Sequence, residues 1–318
     1  MYADVTIRSV TVPRRRRRNG DALAFTRAFL SALGAVSDRA CGACAEMAFR
    51  RPPRFHATRR ELAFLETGAR SWVRGPSGEI AMWRWGDGPR VLLAHGWGAC
   101  AGRLTPFIPR LVARGFSVTA FDAPGHGDSP GRFSSLPDFV DAVTRVACAV
   151  RPAAVLGHSM GAAAAALALH AGVRARAAVL IAPPADPGAY TLRFARWLGL
   201  SESAAAVMRR RLERRYAATL EAYRLIEQPP GVPILILHDR GDTRVPIADG
   251  RALSEAWPGA RLVETHGLGH HRILRSPALI RRASNFLAEQ ILEPRRAVAR
   301  ILKPSMTVPS RALALHGP

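Results

Sequence analysis

The chain has 318 residues, 48% of them apolar, which is enough length and apolar content for one large α/β domain with an insertion, or two small ones, and too much for global disorder. Basic residues outnumber acidic ones by 22, and Lys303 is the only lysine. Residues 1–60 hold thirteen arginines against four acids and residues 293–318 hold five basic residues against one, so both ends attract anionic surfaces without specificity. No helix-turn-helix, zinc-finger or aromatic RNA-binding signature accompanies this charge, and no specific nucleic-acid partner is expected.

Residues 1–20 read as a basic arm. Asp21 is then placed to cap a single helix running to about Phe49, with Arg27, Ser31, Asp38 and Glu46 on one stripe and Phe25, Phe29, Leu33 and Val36 on another. The expectation is that the apolar stripe packs on the protein; the alternative is a weak contact with an anionic membrane surface. Cys41-Gly42-Ala43-Cys44 has C-x-x-C spacing, but a second pair for zinc and a strand-then-helix thioredoxin context are both missing. Two small apolar side chains on a helix account for it, and no metal is expected. Four cysteines without a disulfide pattern fit a cytoplasmic protein, peripheral to a membrane if the basic end anchors it. Arg14–Arg18 followed by Ala22–Val36 imitates an export signal, but Arg27 interrupts the apolar part and no A-x-A box follows.

After a linker over 50–60, the chain alternates strand and helix. Residues 71–73 and 79–85 form a hairpin about Gly75-Pro76-Ser77-Gly78. A strand at 90–94 ends in His95-Gly96-Trp97-Gly98, a helix covers 104–114, and a strand at 116–121 ends in Asp122-Ala123-Pro124-Gly125-His126-Gly127-Asp128-Ser129. A helix over 136–150 leads to a strand, then Gly157-His158-Ser159-Met160-Gly161, then an alanine-rich helix. A strand at 179–181 follows. Residues 183–231 contain helical segments and no convincing strand, which reads as a helical lid. The sheet resumes at 233–237 and 261–264, with helices over 248–256 and up to about 292. The rhythm indicates a doubly wound, mostly parallel sheet.

A G-x-S-x-G between a strand and a helix is a nucleophile elbow. Glycines at 157 and 161 permit the tight turn and close packing of helix on strand, and Ser159 is lifted clear of the sheet. Serine is a weak nucleophile, so it requires a base, an acid and oxyanion donors elsewhere.

HGWG at 95, DAPGHGDS at 122, GHSMG at 157, and HDRGDTRVP at 238 followed by GLGHH at 267 occur in an order that resembles the α/β-hydrolase superfamily, in its lidded, esterase-like serine-hydrolase branch, over about residues 78–290. The resemblance implies that His270 is the base, with His271 as the competing choice, and that Asp242 is the acid, with Asp239 as runner-up. It implies backbone N–H donors at Trp97 and Met160 for the oxyanion hole. His95, His126 and His158 are expected to shape loops, and a metal at His238, Asp239, His270 and His271 finds no supporting spacing.

These readings lead to an α/β fold with core segments 61–182 and 232–292, a lid over 183–231, a basic N-terminal region over 1–60 and a basic tail over 293–318. The expected activity is cofactor-independent cleavage of a carboxylic ester or related acyl bond in a small-molecule acyl substrate, through an acyl-enzyme. An acyltransferase, or a cofactor-free haloperoxidase or C–C-bond hydrolase, would use the same triad, and a non-catalytic ligand-binding protein is the remaining alternative. Substrate identity and oligomeric state are left open.

Overall fold

The computed structural model describes residues 18–53, 56–76 and 78–293, so most of the arm expected over 1–20 and nearly all of the tail expected over 293–318 lie outside the described residues, while residues 18–20 already belong to a helix. In chain order the helices are α1 (Arg18–Val36), α2 (Asp38–Arg50), α3 (Arg59–Leu65), α4 (Ile108–Ala113), α5 (Leu136–Val150), α6 (Met160–His170), α7 (Ala189–Leu198), α8 (Glu202–Tyr216), α9 (Ile247–Ala256), α10 (Gly269–Arg272) and α11 (Pro277–Ile291). The strands are β1 (Ala69–Gly75), β2 (Gly78–Trp85), β3 (Arg90–Ala94), β4 (Ser117–Phe121), β5 (Ala154–His158), β6 (Ala177–Ile181), β7 (Ile234–Asp239) and β8 (Arg261–Thr265). The chain divides into two compact units, one built from residues 51–187 and 223–318, the other from 1–50 and 188–222.

In the first unit, all eight strands form one sheet in the order β1-β2-β4-β3-β5-β6-β7-β8. The pairs β1–β2 and β2–β4 are antiparallel and the other five are parallel. This is the doubly wound, mostly parallel sheet expected. Every residue of β4, β5, β6 and β7 is buried, as short apolar strands covered on both faces must be. Alternation sorts their side chains to two cores. Val91, Leu93, Leu156, Val179 and Leu235 join Leu111 of α4 and Phe286 of α11 on one face. Leu92, Val155, Leu180 and Ile236 join Phe139 of α5, the alanines of α6 and Leu253 of α9 on the other. The helix expected over 104–114 begins as a 3-10 turn over Ala101–Phe107 before α4.

The second unit is helical and joins the N-terminal helices to those inserted between β6 and β7. The single helix expected over 21–49 is two helices. The break falls at Ser37, whose hydroxyl accepts from Ala40 N at 3.2 Å and so satisfies a donor that a continuous helix would have bonded internally. The core of this unit is Leu30 of α1, Cys41 and Ala45 of α2, Ala195 and Leu198 of α7, and Ala204, Met208 and Leu212 of α8. Helices α2 and α8 come together at Gly42, where a Cβ would lie 2.5 Å from Ala204 O. Cys41 is buried with Sγ donating to Leu30 O at 3.3 Å, and burial pushes its thiol pKa up.

The polar stripe expected along residues 27–46 meets solvent at Arg27 and Ser31 but not at its far end. Glu46 is fully buried, with Arg50 at 3.1 Å and Arg215 at 3.0 Å on one carboxylate oxygen and Arg211 at 3.6 Å from the other. Conversely Phe25, Phe29 and Val36 are exposed. Among the described residues no helix is long and apolar enough to cross a membrane.

Candidate active site

The candidate residues lie at the carboxyl ends of neighbouring parallel strands of the sheet unit. Strand β3 pairs with β5 so that Ala94 faces Gly157, and the loop beginning at His95 leaves the sheet beside the turn beginning at His158. Ser159 occupies that turn with φ 53° and ψ −120°, a conformation that costs a residue with a Cβ about 1–3 kcal/mol. Its surroundings hold it there. Ser159 N donates to Ile181 O at 2.8 Å, and Ser159 O accepts from Ala162 N and Ala163 N at 2.9 and 3.0 Å. Gly161 lies so close to the carbonyls of His95 and Ala94 that any Cβ would overlap them.

His270 opens the short helix α10 after β8, and its Nδ1 lies 2.7 Å from Asp242 Oδ2. The other carboxylate oxygen of Asp242 accepts from Arg244 N at 2.8 Å and Val245 N at 2.9 Å. Burial alone would raise the Asp242 pKa, but the hydrogen bonds from His270 and from these amides outweigh it and hold the pKa below the usual carboxylate value. A carboxylate anchored in this way fixes the imidazole with its proton on Nδ1 and leaves Nε2 as the basic nitrogen.

Asp239, the other acid of the segment, is fully buried and serves the loop instead. It accepts from Gly241 N at 2.9 Å, Thr265 Oγ1 at 2.7 Å and Leu268 N at 3.0 Å. Burial opposes its charge, yet donors that include Gly269 N hold its pKa down to about 2. The structure therefore brings Asp242, and not Asp239, onto the His270 ring, while Asp239 shapes the loop that carries it. The His271 ring packs edge-on to that of His270, 5.1 Å between centroids.

His158 ties the two halves of the site together. Its buried ring bonds through Nε2 to the His270 carbonyl at 3.0 Å, and the two rings lie 4.7 Å apart. Burial holds the His158 pKa well below its ordinary value, so the ring is neutral and Nε2–H is the donor. Among the described residues no hydrogen bond joins Ser159 Oγ to the His270 ring.

The His95 loop is held by two further neutral histidines. His95 Nε2 accepts from Ala123 N at 2.9 Å while Nδ1 faces Gly96 O at 2.8 Å; His126 Nε2 accepts from Gly98 N at 3.0 Å while Nδ1 faces Pro124 O at 3.0 Å. Burial lowers their pKa values to about 3 and about 4. Asp122 is the residue that motif reading passed over. Its buried carboxylate accepts from Ala101 N at 2.7 Å and Asp128 N at 2.8 Å, joining the chain just beyond the His95 loop to the 122–129 loop, and burial raises its pKa to about 6. An acid closing a buried strand ahead of a glycine-rich loop was the available signal. Trp97 N and Met160 N, the expected oxyanion donors, give no hydrogen bond to a protein acceptor among the described residues. The Trp97 ring packs edge-on to His126 at 5.4 Å.

Comparison with known proteins adds to this geometry. A family model described as serine aminopeptidase, S33, matches residues 89–231, and one described as TAP-like protein matches residues 216–297. The chain is 45% identical over 82 residues to a pimeloyl-[acyl-carrier protein] methyl ester esterase of Methylococcus capsulatus, a match covering 24% of this chain and 30% of that protein. It thus spans about three-tenths of the length of this curated relative. An esterase of Pyrococcus furiosus superposes with a TM-score of 0.57 at 20% identity, covering 75% of this chain and 99% of that one. The mouse alpha/beta hydrolase domain-containing protein 10 superposes with a TM-score of 0.58 at 17% identity, covering 71% and 99%. With the sheet order and the strained serine turn, these likenesses give the chain an α/β-hydrolase fold.

Proposed function

We propose that the protein is a serine hydrolase that cleaves a carboxylic ester through an acyl-enzyme. Ser159 Oγ attacks the ester carbonyl carbon as His270 Nε2 takes its proton, and Asp242 stabilises the imidazolium that forms. The tetrahedral oxyanion lies on Trp97 N–H and Met160 N–H. Collapse expels the alcohol, which receives the proton from His270. Water, deprotonated by the same nitrogen, then releases the acid and frees Ser159. A hydrogen bond between nucleophile and base that tightens only with substrate bound is common in such sites.

One observation carries this reading. The ring held on Asp242 belongs to a residue whose carbonyl is bonded to His158, the immediate neighbour of Ser159, so candidate nucleophile, base and acid share one hydrogen-bonded cluster. The relative named as a methyl ester esterase supports ester chemistry and makes methyl esters of acyl chains the first substrates to try. Residues 183–231 are proposed as the lid that sets acyl-chain preference; a chain-length profile unaltered by substitutions across this segment would argue against that part.

Labelling with a fluorophosphonate, wild type beside Ser159→Ala, together with a panel of acyl esters of increasing length, tests the proposal. Wild type is expected to label and the variant not. Ester hydrolysis is expected to fall by roughly four to six orders of magnitude in the variant. An unlabelled wild type would refute the nucleophile, and equal hydrolysis by the variant would refute the mechanism.

A further inference from the structure

Helix α1 has two apolar faces, and the fold uses only one of them. Leu30 is 3% exposed and Leu33 is half-buried against the helical core. On the other side Phe25, Ala28, Phe29, Ala32, Ala35 and Val36 are linked by i,i+3 and i,i+4 spacings, which places them on one stripe about 17 Å long. All six are exposed, Phe25 at 75%, Phe29 at 52% and Val36 at 85%. No charged residue occurs from Ala28 to Ser37.

The neighbouring helix of the same unit extends this surface. Arg27 Nε of α1 donates to Trp197 O of α7 at 2.7 Å, bringing the end of α7 alongside. There Trp197 is 50% exposed and Leu192 43%, and Arg193 and Arg196 beside them are exposed too. α7 contains no acid, and Asp21 is the only acid of α1. In sequence, five consecutive arginines, Arg14–Arg18, stand upstream of the stripe.

We propose that this face of the helical unit docks on an anionic lipid bilayer, with α1 lying in the plane of the interface. Phe25, Phe29 and Val36 enter the acyl boundary, and Trp197 sits at headgroup level, where its amphipathic ring is favoured. Arg193 and Arg196 pair with lipid phosphates. Charge selects this occupant over a second copy of the chain. A two-fold interface across this face would bring the exposed Arg193 and Arg196 of two copies toward one another, with no acid on α7 to offset them, whereas anionic headgroups neutralise them. A single-acid, aromatic-and-arginine surface of this kind is what an interfacial helix presents.

The test is co-sedimentation of the full chain with vesicles of equal parts phosphatidylcholine and phosphatidylglycerol, beside vesicles of phosphatidylcholine alone. Binding is expected to the mixed vesicles, to weaken with added salt, and to fall by roughly 10- to 100-fold in Phe25→Ser/Phe29→Ser, since two exposed phenyl groups are removed without touching the core. As a second measurement, tryptophan emission of the wild type should shift to the blue on mixed vesicles and lose most of that shift in Trp197→Phe. Absence of binding, or binding undiminished in the double variant, overturns the proposal. So does an emission spectrum that vesicles do not move. A dimer in vesicle-free solution that the double variant dissociates assigns the face to a second copy and overturns it as well.

Discussion

In the sheet unit the buried carboxylates of Asp122, Asp239 and Asp242 all accept backbone N–H donors of loops, whereas in the helical unit the buried carboxylate of Glu46 faces the side chains of Arg50, Arg211 and Arg215. The partners decide what each arrangement does. A backbone amide has a fixed direction and no net charge, so a carboxylate bound to several of them sets the course of a loop to within a fraction of an ångström. Arginines reach out on flexible stems; they neutralise a buried acid and hold helices together without specifying a loop. The first arrangement builds a site and the second builds a scaffold.

Substituting one acid from each unit separates the two roles. Asp242→Asn is expected to have the largest effect. The amide oxygen can keep the bonds from Arg244 N and Val245 N, so the loop survives, but the NH2 then faces His270 Nδ1 and forces the proton onto Nε2. The hydrolysis rate should drop about 10⁴-fold with the unfolding midpoint little changed; a comparable loss of fold would show that Asp242 is scaffold too. Glu46→Ala should do the reverse. It leaves three arginines around an emptied site and is expected to cost about 2–4 kcal/mol in denaturant unfolding, with the ester hydrolysis rate per folded molecule unchanged. A loss below about 0.5 kcal/mol would mean that the arginines simply turn to water.

The smallest effect is the pH dependence of stability, and the sheet unit dominates it. His95 and His126 are neutral in the fold, with pKa values near 3 and near 4 against an ordinary 6.5, so unfolding takes up protons below pH 6.5. Their contribution is complete above that value and is lost as pH falls toward 4. Asp122, raised to about 6, opposes them, because the folded state binds its proton first as pH drops. Near pH 5 these two rings, together with the equally neutral His158, take up more protons on unfolding than Asp122 gives up, so stability falls as pH drops toward 5. Urea midpoints between pH 7 and pH 5 measure it, and a flat or rising stability toward pH 5 would contradict the burial of these rings.

The same contrast governs what could be read from the residues beforehand. The central strands were legible because they are short apolar runs, most of them ending in a glycine-containing motif, and the serine turn, the histidine loop and the Asp242 loop follow such strands in order. Asp122 and Asp239 were harder to interpret because their partners are main-chain amides, which leave no side-chain signature. The helical unit misled for a different reason. One helical phase was carried from Asp21 to Phe49 across the break at Ser37, and beyond the break that phase no longer describes which side faces the core. Glu46 then fell on a stripe expected to meet water, while its partner Arg215 stands 169 positions further along the chain. On α1 itself the periodicity chose the wrong apolar side, because the helix packs through Leu30 and Leu33 while the Phe25, Phe29 and Val36 side is exposed.

The bond from His158 to the His270 carbonyl spans 112 positions of sequence and closes the site across its widest gap in the chain. Since its donor is the residue just before Ser159, it acts as a gauge between the serine turn and the histidine loop. Lengthening or shortening the loop after β8 by one residue would carry the carbonyl out of reach of the imidazole. A change in loop length would therefore have to be matched by a different side chain at position 158, and the two positions are coupled in any redesign of this site.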